Sequence, residues 1–188
     1  MISGPRIAFS TVSSIKEAVD WSVAACGGKE PSAAGIDSIL HWGKDRSGFR
    51  SADHWLKKEY PDAARSVMAP NSLYGAMTIG GVGLAIELRK HWPQMVLNET
   101  HPKVLFRAMT GILYPRKELS AALTWLEQHA QFDLHHTKPS EDEFDAILSA
   151  WATREAVAHK WQNLAKPDDR HIYPVAGACY FWPVADKP

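Results

Sequence analysis

Asp142 and Asp145 stand one helical turn apart in the run Ser140–Thr153, on the side of the wheel opposite Phe144, Ile147, Leu148 and Trp151. Their neighbours on that side, Ala146, Ser149 and Thr153, are small, which leaves both carboxylates room to approach another group closely. Two further acids sit at the ends of β-prone runs, Asp37 after Ala33-Ala-Gly-Ile and Glu99 after Met95-Val-Leu-Asn. In parallel sheets the carboxyl ends of strands face the functional crevice. Carboxylates drawn together from three elements repel one another unless a cation lies between them. A hard divalent ion takes oxygen ligands, and two such ions a few ångströms apart clamp the attacking and leaving oxygens of phosphoryl transfer.

The same helix has a simpler explanation in its own sequence. Pro139 precedes Ser140 and Glu143 follows three residues later, the signature of a capping box, and acids in a first turn are favoured by the helix dipole. The elements that must position the acids follow in order. Ile7–Ser10 is β-prone. Ser14-Ile-Lys-Glu17 opens a helix ended by Gly27-Gly28, and Ala33–Asp37 reads as a strand, so the first third predicts a parallel strand–helix–strand crossover. A helix is expected over 51–59, a long one over 73–91 and another from Pro102. An amphipathic helix is expected over 117–130, and a terminal hairpin around Gly177. Gly80-Gly-Val-Gly83 lies inside the long helix and does not complete a dinucleotide fingerprint, so it reads as close helix packing. His135-His136 are adjacent and cannot both point one way on an extended backbone, which argues against shared ligation.

The interval from Lys44 to Lys58 is the most basic and aromatic in the chain. Arg50, Lys57 and their neighbours read either as a phosphate-contacting patch or as a solvated helix face, and Asp53 is spaced to pair with Arg50. Over the whole chain of 188 residues, 21 basic residues balance 21 acidic ones, so any attraction for a polyanion is local. The length and a 45% hydrophobic content fit a single domain, 1–188, and Cys26 and Cys179 read as isolated core residues. The longest apolar stretch is broken by glycines and no signal-peptide pattern opens the chain, so a cytoplasmic protein with no membrane partner is expected.

Gly35-Ile-Asp37, Arg50-Ser-Ala-Asp53, Asn98-Glu-Thr-His-Pro102 and Glu141-Asp-Glu-Phe-Asp-Ala146 occur in the order seen in the predicted nucleases grouped as domain of unknown function 429. The chain resembles that family from about Ile7 to Trp182. The resemblance implies a ribonuclease H-like α/β fold, a mixed sheet flanked by helices, in which Mg2+ or Mn2+ is held by Asp37, Glu99 and Asp142. Asp145 supports them, and Arg50 and Asp53 lie near the site; with Lys57 of the basic interval they are the candidate contacts to a nucleic-acid substrate. It also implies an acid-bearing N-terminal hairpin that is absent or replaced here. The expectation is therefore a sheet with a gap, filled by a shifted N-terminal strand or by a strand from a second copy or another protein, or else left by shortening of a longer chain. The alternative is a non-catalytic binding or assembly module that keeps the fold.

Overall fold

The computed structural model describes residues 2–3, 6–43, 46–69, 75–115, 118–130, 132, 134, 138–159, 161–165, 171–172 and 174–183; His135 and His136 lie outside them. The first strands, β1 (Ile2–Ser3) and β2 (Arg6–Ile7), pair antiparallel with each other. Helix α1 (Ile15–Cys26) starts where the Ser14 hydroxyl accepts the Glu17 amide and stops at Gly27, whose φ of 58° suits a residue without a side chain. Next come β3 (Ala33–Ile36), β4 (Trp42–Gly43), α2 (Ser51–Glu59), a short 3-10 turn at Ala64–Ser66 and α3 (Gly75–His91). The rest of the chain forms β5 (Val96–Glu99), α4 (Pro102–Thr110), α5 (Ser120–Ala130), α6 (Glu141–His159), β6 (Gln162–Asn163), β7 (His171–Ile172) and β8 (Phe181–Trp182).

The architecture is mixed α/β with small sheets. Its parallel core is β3 beside β5, Ala33 level with Val96 and Ile36 level with Glu99. On the far side of β5, Cys179 joins in parallel: its amide donates to the Leu97 carbonyl and its carbonyl accepts the Glu99 amide, both at 2.8 Å. Two sequence expectations are corrected here. The crossover that forms runs from β3 through α2 and α3 to β5, because β2 pairs with β1 and no strand among the described residues lies along the other edge of β3. The terminal hairpin does not form either. β7 pairs with β4 and β8 with β6, since the Asn163 and Asn98 side-chain carbonyls take the amides of Tyr180 and Phe181 and steer that segment away from β7.

Alternation along β3 and β5 divides the interior. Ile36 and Leu97 pack with Val19, Leu40, Ala85 and Leu88 beneath α1 and α3. Above the opposite face runs α6, whose Phe144, Ile147, Leu148 and Trp151 bury against Val104, Phe106 and Leu126. The other side of α6 rests on the sheet through Thr100 to Ser149 and Asn98 to Thr153 hydrogen bonds, each 2.9 Å. That approach requires Gly35, where a Cβ would overlap the Ser149 carbonyl and the Thr153 hydroxyl. Gly35→Ala should lower the urea midpoint by the equivalent of about 1–3 kcal/mol, the usual range for overpacking. Gly80→Ala should instead gain up to about 1 kcal/mol, since a Cβ there meets nothing within 4 Å and alanine favours the helix. Gly81 and Gly83 do pack closely, against Ser38 and Ile15. Among the described residues no helix is long and apolar enough to cross a membrane.

Candidate functional site

β5 carries Glu99 into the interior, and α2 begins with Arg50 directly opposite. The guanidinium grips Glu99 with both terminal nitrogens, at 2.5 and 2.7 Å, and holds Asp53 through Nη2 at 2.6 Å and Nε at 2.8 Å. Asp53 also accepts the Arg50 amide, so the sequence pair spaced for a helix contact also caps the start of α2 from its third position. Glu99 Oε2 accepts the Leu40 amide at 2.8 Å, while His41 and His101 each bring a ring nitrogen to 3.4 Å from the carboxylate. Tyr180 closes the group, its ring centre 5.2 Å from the guanidinium carbon. Arg50, Asp53 and Glu99 are all at most 1% exposed. Burial drives the Glu99 carboxyl upward, but the Arg50 charge, the nearby His101 ring nitrogen and the Arg50 hydrogen bonds outweigh it and hold the group well below the usual carboxylate range.

Ligand atoms of Asp53, Glu99 and His101 lie within 4.8 Å of one another, a buried group that could hold a metal ion. The chemistry in place there is different, because Arg50 already bridges both carboxylates, and a second cation would have to displace the guanidinium. Lys57 is likewise engaged elsewhere. It donates to the Ala64 carbonyl at 3.1 Å and sits 4.8 Å from the centre of the Phe49 ring. Arg50, Asp53 and Lys57 thus stand within the fold, while the open acids gather on the other side of the sheet.

The parity of the strand explains that separation. Glu99 is level with Ile36, so it leaves β5 on the α1–α3 face, while Gly35 and Asn98 look toward α6. Asp37 emerges just past β3, where the Ser38 amide turns back onto the Ile36 carbonyl at 2.8 Å. There it meets α6: Asp37, Asp142 and Asp145 line one groove of about 520 Å3. The capping box at the start of α6 is real, with the Ser140 amide on Glu143 at 2.8 Å and the Glu143 amide on the Ser140 hydroxyl at 3.3 Å. It uses Glu143 and leaves Asp142 and Asp145 to the groove.

Asp145 is only 5% exposed, and its Oδ1 has no hydrogen-bond partner among the described residues. Its Oδ2 lies 3.7 Å from Lys103 Nζ, which is more tightly paired with Glu141. Burial, with a contribution from the charge of Asp37 and against the opposing Tyr114 hydroxyl and Lys103, lifts the Asp145 carboxyl to about 7. Asp37 keeps solvent contact, yet the protein packed around it raises its pKa as well, with His101 and Lys103 opposing. Asp37 also borders a second cleft of about 440 Å3, which Arg65, Ser66, His101, Lys103 and Glu141 share. Lys103, Tyr114 and Arg65 had no signal in the sequence beyond Lys103 following the Asn-Glu-Thr-His-Pro motif. The structure therefore brings Asp37, Asp142 and Asp145 together and sets Glu99 apart with Arg50 and Asp53. No protein-family model, curated protein or solved structure matches the chain.

Proposed function

We propose that the chain is a divalent-metal-dependent phosphodiester hydrolase of nuclease type, on a ribonuclease H-like arrangement, with Asp37, Asp142 and Asp145 holding Mg2+ or Mn2+. The observation that carries this reading is the buried Asp145, whose Oδ1 has no hydrogen-bond partner among the described residues and which shares a groove with two further carboxylates. Such a set is anionic only at a cost that a hard cation with oxygen ligands removes. When bound, the metal supplies Lewis acidity toward a phosphoryl oxygen and a more acidic water. The chain's own residues do the rest. Lys103 and Arg65, in the adjoining cleft, face the place where a phosphate would lie, and Arg50 fixes Glu99 so that the strand end behind Asp37 is rigid. The order of the four sequence motifs supports the same reading.

A second reading, a non-catalytic module, draws on one observation: Lys103 already stands against Asp145 and Glu141 and neutralises part of the cluster without a metal. Thermal unfolding with Mn2+ separates the two. An ion present at about a hundred times its dissociation constant should add about 2.7 kcal/mol to the stability of the wild type. Asp37→Asn should lose that gain, Glu99→Gln should retain it, and cleavage of DNA or RNA should follow the same pattern. A midpoint indifferent to Mn2+ and Mg2+ would leave the module reading standing.

A further inference from the structure

The inner edge of β3 is satisfied and, among the described residues, the outer edge is not. The Ser32 and Ile36 carbonyls accept the amides of Val96 and Thr100, which places the backbone groups of alternate residues toward β5. The N–H and C=O groups of Ala33, Gly35 and Asp37 face the other way, and among the described residues no strand meets them. Gly35 and Asp37 open into the groove that holds the three carboxylates. One wall is α6, with Asp142, Ala146 and Ser149; another is α3, with Gly80, Gly81 and Leu84; and Val12 to Ile15 with Ala18, at the start of α1, form the third.

We infer that this groove takes up an extended segment of another polypeptide by β-strand addition, a segment that carries lysine or arginine where it passes Asp37, Asp142 and Asp145. Three features select that occupant. The free amides and carbonyls repeat every second residue, the pattern a strand reads. The edge is recessed between α6, α3 and the start of α1, so the space beside it suits one strand, whereas the edge of a second sheet, such as β3 of another copy, would strike the walls. The small side chains of Ala146, Ser149 and Gly81 suit close passage of backbone, and a Cβ on Gly80 has open space before it. At the acidic end, a cationic side chain meets the exposed carboxylates of Asp37 and Asp142 beside the buried Asp145.

The test is a random-peptide display selection on the full chain in EDTA, counter-selected on Gly80→Leu, which adds a side chain at a groove-lining helix position where a Cβ meets nothing within 4 Å. Ala146→Phe, from the opposite wall, serves if Gly80→Leu fails to fold. The expected peptides alternate β-branched or small apolar residues and carry a basic residue near one end. Their binding should slow amide exchange at Gly35 and Asp37 by about a hundredfold, with Ala34 and Ile36 already protected in the free protein. Replacing the basic residue by glutamate should weaken binding at least about tenfold. Selection of the same peptides by the blocked variant, protection of Gly35 before any peptide is added, or a concentration-dependent dimer abolished by Gly80→Leu would each overturn the proposal. An Mn2+-dependent rise in unfolding temperature without any selected peptide would leave the metal reading intact and remove this one. Selected peptides on a protein indifferent to Mn2+ would do the reverse.

Discussion

Arg50→Met should cost about 3–5 kcal/mol, the range for removing one partner of a buried ion pair and a large share of the roughly 5–15 kcal/mol of an ordinary domain. The loss does not come from the arginine contacts alone. Without the guanidinium, Glu99 and Asp53 remain as two carboxylates at 0% exposure, with the Leu40 and Arg50 amides and the two histidines as their remaining company. The triple change Arg50→Met, Asp53→Leu, Glu99→Leu should recover much of the deficit, because a fully apolar replacement leaves no buried charge behind. Urea unfolding of the two proteins measures the difference. A loss under about 1 kcal/mol in the single variant would mean that water reaches the network. The pH dependence has a definite sign. Glu99 has a folded pKa below its unfolded value of about 4.3, so its contribution is complete above that pH and is lost as pH falls toward the depressed folded value. In the triple variant this acid-side loss should disappear.

The local signals in the sequence translate well into structure where the cause is local. Helix α2 covers Ser51–Glu59 as its polar start and the following Pro61 dictate, both N-terminal capping patterns form, and the apolar stripe of α6 is buried. What the sequence hides is parity and reach. Asp37 and Glu99 both close β-prone runs, and reading each as a strand-end acid suggests that they meet. The register sets Glu99 level with Ile36, one residue short, and that single step sends it to the opposite face. Arg50 then decides its role, across 49 positions of sequence that no periodicity connects. The carboxy-terminal strands were equally hidden, because side-chain amides of Asn98 and Asn163 compete for backbone donors that a hairpin would have used.

Asp145→Asn should stabilise the metal-free protein at pH 8 while abolishing its response to Mn2+. The Asp145 carboxyl has a folded pKa of about 7 against about 3.9 when unfolded, so the folded state holds the proton more tightly. Its contribution is then complete at and below the unfolded pKa, falls as pH rises from about 4 to about 7, and stays lost above it, a loss on the order of 4 kcal/mol. Asparagine carries no proton to lose and should remove that slope. Opposed to the Glu99 contribution, which fails only in acid, this makes the metal-free wild type most stable near pH 4–5. A bound divalent ion reverses the slope, since it favours the ionised carboxylate and competes with the proton for the same oxygens. Thermal midpoints across pH 4–8, with EDTA and with Mn2+, therefore distinguish the two explanations of this groove. A metal site gives a negative slope in EDTA that flattens or inverts in Mn2+ and vanishes in the variant. A cluster satisfied by Lys103 alone gives the same slope with and without the ion, and Asp145→Asn then changes stability without changing any metal response.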